Sequence, residues 1–189
     1  ADRAALARAL REARAANEAN AERPEAQVAL GLQALRYGDA ASARAAYEKA
    51  LARAPFFVPA RVNLADLARA EGNEREAIEQ LRAALEYVPE DGLVRYALGL
   101  ALHRAGEAEG ALRELEQASK STPLDPRITL GYALALDGQG RRSETLGVLG
   151  SAIDEGRGDG ALYQALVSFL REEGRMSEAR ARAEAWLTA

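Results

Sequence analysis

The chain has 189 residues, 48% hydrophobic and 29% charged, with a formal net charge of −4 and no Cys. Its length suits one globular domain or a short array of repeated units, and the lack of a basic surplus removes nucleic acid as the default partner. Disulfides, thiol nucleophiles, thiolate metal sites and covalent haem attachment are excluded within this segment. Aromatics make up only 5%, and the apolar residues are mostly Ala and Leu, which favours helices over strands. No apolar run approaches the roughly 18 residues needed to cross a bilayer.

The opening stretch ADRAALARALREARAANEAN contains acidic residues and no apolar central region, so it does not read as a signal peptide. Starting without Met, it reads as part of something longer. Residues 1–23 fit an N-terminal capping helix or partial unit, because Ala9, Ala13 and Ala16 stand in the same phase as Ala43, Tyr47 and Ala50 further on. That phase belongs to a repeat. Gly38, Gly72, Gly106, Gly140 and Gly174 recur every 34 residues. Five units follow at 24–57, 58–91, 92–125, 126–159 and 160–189.

Each unit predicts two helices. Ile78, Leu81 and Leu85 recur at helical spacing along one face. An interior Gly costs a helix about 1 kcal/mol relative to Ala, so Gly106 and its equivalents belong at the turn between the two helices, where a left-handed residue is needed. Leu30, Leu64, Leu98, Tyr132 and Leu166 precede the small or short residues Gly31, Ala65, Gly99, Ala133 and Val167. Ala43, Ala77, Ala111, Thr145 and Ala179 permit close helix approach, as do Ala50, Ala84, Ala118 and Ala152, with Trp186 at the fifth equivalent position. Pro55, Pro89 and Pro123 stop the second helix of the first three units. The fourth ends instead in DEGRGDGAL, which predicts a looser joint.

This pattern, at this period, resembles the tetratricopeptide repeat family over residues 24 to 189. The family's usual first-helix Trp is replaced by Gln27, Arg61, Arg95, Thr129 and Tyr163, and the fourth Pro by Arg157. The resemblance implies an all-α fold, a right-handed superhelix of antiparallel helix pairs. It also implies a non-catalytic scaffold that binds a peptide segment or partner domain on the concave row of first helices. Carried onto this sequence, that row holds Val28, Leu32, Leu35, Arg36, Val62, Asn63, Asp66, Arg69, Tyr96, Leu100, His103, Arg104, Leu130, Leu134 and Asp137. Asn63, with donor and acceptor on one amide, suits the backbone of a bound peptide. Arg36, Arg69 and Arg104 would rim the strip and favour an acidic ligand. Family members that clamp chaperone C-termini use Lys, Asn and Arg around the terminal carboxylate. Here Val28, Leu32, Leu93 and Ala97 occupy the matching places, so only Asn63 remains and that specialised role is not expected.

For catalysis the inventory is poor: a single His, His103, and no carboxylate pair at a fixed offset. The glycines of DGQGRR and GRGDG lack the strand before and the GK[ST] after that a phosphate loop needs. Arg157, Gly158 and Asp159 spell a tripeptide that resembles an integrin-recognition motif, but in a turn-rich linker these residue types first serve the turn. The wording of ANAERPEA, FFVPARVNLADLARAEG and ALGLALHRAGEAEGAL is similar to the repeat segment attached to some bacterial multihaem c-type cytochromes, which implies a partner domain elsewhere in a longer chain. No cofactor or metal site is expected in this segment itself. The partner expected is a protein or peptide, or a domain of the same longer chain. Homo-oligomerisation through the ends is the structural alternative, since Trp186 and Leu187 stand where a following unit would pack. The compartment, bacterial cytoplasm or periplasm, is not fixed by the sequence.

Overall fold

A computed structural model describes residues 20–188. The expected N-terminal capping segment therefore lies, up to residue 19, outside the described residues. The rest folds as helix pairs: α1 (Pro24–Arg36) with α2 (Ala40–Arg53), α3 (Val58–Ala70) with α4 (Glu74–Leu85), α5 (Gly92–Arg104) with α6 (Ala108–Ser121), α7 (Pro126–Gly138) with α8 (Arg142–Asp154), and α9 (Gly160–Glu172) with α10 (Met176–Thr188). Among the described residues there is no strand. The all-α fold of paired helices expected from the 34-residue period is what forms.

The turns follow from the glycines. Gly38, Gly72, Gly106, Gly140 and Gly174 all have φ between 72° and 81°. At the third turn Gly106 N–H bonds His103 O and Glu107 N–H bonds Leu102 O, at 3.0 and 2.9 Å, a pairing that satisfies carbonyls left over at a helix end. Two second helices start on a side-chain cap: Asp39 accepts from Ser42 N–H at 2.9 Å and Asn73 from Glu76 N–H at 3.2 Å.

The chain divides into two compact parts between Val88 and Pro89. In the first, the core gathers Val28, Ala43, Tyr47, Ala50, Ala60 and Leu64. Tyr47 lies so close to Gly31 that a Cβ there would sit 2.3 Å from its ring, which is why the helix tolerates Gly at that point. In the second, Leu112, Leu115 and Leu136 form one cluster and Leu149, Leu162, Leu166 and Leu170 another.

A second device holds the joints between pairs. Arg61 donates to the Pro55 carbonyl at 2.8 Å and Arg95 to the Pro89 carbonyl at 2.9 Å. Gln27 donates in the same way to the Ala21 carbonyl. Each donor stands six residues after its acceptor, so the positions that depart from the family's Trp act as locks on the preceding turn. In the fourth unit the place falls to Thr129, which is buried and too short to reach out. Arg157 supplies the bond instead, donating to Pro123 O from 34 residues downstream at 2.8 Å, and it also pairs with Glu155 at 2.7 Å. The DEGRGDGAL joint is thus tied rather than loose: Gly156 takes φ +74°, and Asp159 caps α9 through Leu162 N–H at 3.0 Å. All three residues of the RGD tripeptide serve this joint, with Gly158 backed against Ile153.

Candidate partner-binding face

The first helices α1 and α3 of one part, and α5, α7 and α9 of the other, carry the residues expected to bind a partner, and the two parts treat them differently. On α1, Val28 is buried in the core with Tyr47 and Ala50, so it is not a surface contact. Its position points inward because Gly31, three residues on, draws α2 close. Leu32 and Leu35 are exposed, and Leu32 lines a shallow hollow with Ala29, Gln33, Arg36 and Tyr37. On α3, Val62 and Asn63 are half-buried and Asp66 and Arg69 exposed.

Asn63 does not hold its amide free for a ligand. Its Nδ2 donates to Pro59 O at 2.6 Å, the back-bonding to the preceding turn that a short amide side chain readily makes inside a helix. Asp66 and Arg69 face each other at 3.6 Å. The polar members of this face are therefore engaged within their own helix, and Arg69 also falls one residue off the register shared by Arg36 and Arg104.

In the second part the same row is apolar. Leu93 is 53% exposed and Leu134 50% exposed, whereas Leu100 and Leu130 are half-buried. Tyr96 bridges α5 and α7: a Cβ on Gly131 would lie 2.7 Å from its ring. Burial pushes the Tyr96 hydroxyl above its ordinary pKa, with Arg127 lowering and Asp125 raising it to lesser extents, so the ring stays neutral at physiological pH. His103 and Arg104 end α5 in solvent. Asp137, expected on the row, instead pairs with Arg142 at 2.7 Å. Arg142 in turn lies 4.5 Å over the Phe169 ring and bonds Glu172 at 2.8 Å. On α9 the equivalent positions turn polar, with Gln164, Ser168 and Arg171.

Among the described residues no cluster of His, Cys, Asp or Glu could hold a metal ion, and no helix is long and apolar enough to cross a membrane. The arrangement offers apolar contact area with a few orienting groups. The locking role of Gln27, Arg61 and Arg95 escapes a sequence reading that treats them as departures from Trp. Their common donor chemistry, six residues after each joint, was the available signal.

A family profile described as a tetratricopeptide repeat matches residues 34–98 and again 68–135, more than half of the chain. No curated protein matches the sequence. Solved structures with the same fold include the MamA protein, 21% identical, covering 85% of this chain and 88% of its own with a TM-score of 0.72. PilF of Pseudomonas aeruginosa is 22% identical, with 87% and 75% covered and a TM-score of 0.73. YrrB, described as a repeat protein of this kind with an unusual peptide-binding site, is 19% identical, with 89% and 87% covered and a TM-score of 0.69.

Proposed function

The chain belongs to the tetratricopeptide repeat family, and on that premise we propose that it is a non-catalytic scaffold that captures a segment of another protein on its first helices. The contact falls chiefly on Tyr96, Leu100, Leu130 and Leu134, with Leu93 at the edge. One observation carries this reading: Leu93 and Leu134 stand half-exposed on neighbouring first helices beside the half-buried Tyr96. An apolar strip left in water is disfavoured, and on a folded surface such strips mark interaction sites. YrrB, of the same fold, is described as having a peptide-binding site, which makes a peptide-sized ligand the natural probe. Selecting binders from a displayed peptide library and replacing Leu100 or Leu134 by Ala tests the reading. Losing a buried anchor typically weakens a complex by about 2 kcal/mol, roughly thirtyfold, whereas Glu79→Ala on the exposed side of α4 leaves binding unchanged. Equal binding by all three folded variants overturns it.

A second reading, self-association, is favoured by Trp186 and Leu187 of α10, which are 45% and 82% exposed. It predicts a mass that rises with concentration in light scattering, and a constant monomer mass removes it.

A further inference from the structure

Helix α8 has a weaker sequence than the other second helices. It carries Gly147 and Gly150 in its interior, where α2, α4 and α10 have no glycine and α6 has only Gly110 in its first turn. Neither backbone nor packing calls for them: neither has a positive φ, and a Cβ at either would meet nothing within 4 Å. Each therefore costs the helix its propensity with no steric return. The start of α8 also lacks the side-chain cap that Asp39 gives α2 and Asn73 gives α4. Ion pairs from Arg142 to Glu172 and from Asp154 to Arg182 link its ends to α9 and α10, but partly exposed pairs contribute little.

The neighbouring α7 depends on this weak helix. Arg61 and Arg95 lock their joints from the first helices α3 and α5 themselves. For α7 the donor to the Pro123 carbonyl is Arg157, just beyond the end of α8, whose own backbone N–H bonds Ala152 O of α8 at 2.8 Å. The seat of α7 against α6 is incomplete as well, since Tyr132 is half-buried at the register position where Leu98 and Leu166 are 2% and 3% exposed. We propose that α7 and α8 form a soft unit that opens together while α5 and α6 stay folded. Opening of α8 withdraws Arg157 from Pro123 and uncovers Ala133 of α7, which clusters with Leu146 and Leu149. It also takes Leu130 and Leu134 out of the apolar strip. The link to binding rests on the strip being the contact face, as proposed above: a ligand spanning α5 and α7 then holds the unit shut, because it binds the closed form and not the open one.

Native-state amide exchange on the full chain, without ligand, is the test. Protection in the middle of α7 and α8 should be at least about tenfold lower than in α5 and α6. Gly147→Ala combined with Gly150→Ala should raise it in both helices by about thirtyfold, or until it meets that of α6. Arg157→Ala should lower it in α7 by about fivefold. Equal protection across the four helices overturns the proposal, and so does a double alanine variant that slows α8 alone or an Arg157→Ala variant that leaves α7 unchanged. A peptide selected on the strip then separates the two readings. If its binding needs Leu134 and it slows exchange in both α7 and α8, both stand. If it needs Leu134 but the free protein already protects α7 as well as α5, the soft unit is wrong and the strip is right. If α7 and α8 are soft and the peptide leaves their exchange unchanged, the strip is not its contact face and the soft unit stands.

Discussion

The two parts of the chain use an aromatic residue against a helix glycine in opposite ways. In the first, Tyr47 comes from the second helix of a pair, fills the space at Gly31 and is fully buried. In the second, Tyr96 comes from a first helix, fills the space at Gly131 of the next first helix and stays half-exposed. In this pair of contacts the ring on the second helix, Tyr47, is core and the ring on the first helix, Tyr96, belongs to the surface strip. The row differs in the same sense, since Asn63, Asp66 and Arg69 satisfy one another or their own helix, whereas Leu93 and Leu134 are exposed to solvent beside the half-buried Leu100. Burial in one part and availability in the other arise from the same 34-residue template.

The largest effect that sharpens this contrast is the loss of Tyr47. Tyr47→Ala removes a fully buried ring from the core of α1, α2 and α3 and should destabilise by about 3–5 kcal/mol, read as a lowered denaturation midpoint. Tyr96→Ala, from a half-buried site, should cost clearly less. The Tyr47 hydroxyl has no hydrogen-bond partner among the described residues, and burial pushes its pKa up. Because an unmade buried hydrogen bond costs about 1–3 kcal/mol, Tyr47→Phe should stabilise or be neutral. A large loss in Tyr47→Phe would mean that the hydroxyl has a partner after all and that the site is not simple core.

Next in size is the glycine pair. Ala exceeds Gly in a helix interior by about 1 kcal/mol, so each Gly→Ala change starts from a gain. At Gly31 the added Cβ meets the immobile Tyr47 ring at 2.3 Å, and overpacking of about 1–3 kcal/mol should win. At Gly131 the obstacle is the edge of the Tyr96 ring, at 2.7 Å, which has solvent to move into. Gly31→Ala should lower thermal stability and Gly131→Ala should leave it nearly unchanged while weakening a ligand that needs Tyr96 in place. Equal destabilisation by both would break the distinction between core and surface aromatic.

Much of this is legible in the sequence, and the limits have physical causes. The five turn glycines are visible because only a left-handed position repeated at a fixed interval explains them, and all five take positive φ. Gly156, which also takes positive φ, lies off that interval, so nothing periodic marks it as a left-handed turn. Val28 looks like a surface residue by register, yet its exposure depends on how near α2 approaches, which Gly31 and Tyr47 set together. Asn63 and Asp137 have the right chemistry for a ligand, but their partners, Pro59 O and Arg142, are chosen by local backbone geometry and by a neighbouring helix. Side-chain competition of this kind leaves no periodic trace.

The smallest effect concerns acid. In the second part Asp125, Glu144, Asp154 and Glu178 are each held below their ordinary pKa by a hydrogen-bonded guanidinium, from Arg127, Arg141, Arg182 and Arg175 respectively. In the first part Glu22 is lowered by Lys49 and then Arg53, and Asp39 by the Ser42 side chain and backbone. A carboxylate whose folded pKa lies below its unfolded value of 3.8 or 4.5 contributes stability that is complete above that value and disappears as pH falls through the folded one. Stability should therefore be flat above about pH 5 and decline below about pH 4. Since these groups are exposed, the decline is shallow and screened by salt. Trp186, the single Trp, stacks on Tyr163 with ring centroids 6.1 Å apart and reports on the second part. Its urea midpoint should drop between about pH 7 and about pH 3, and by less in about 0.5 M salt, because the ion pairs there are already weakened. Amide protection at Ser42 in the first turn of α2, which begins on the Asp39 cap, should fall with acid in a way that salt changes little, since Ser42 brings no charge to screen. A Trp186 midpoint indifferent to acid would remove the ion-pair contribution in the second part, and a Ser42 response as salt-sensitive as that of α10 would remove the contrast between the uncharged cap and the ion pairs.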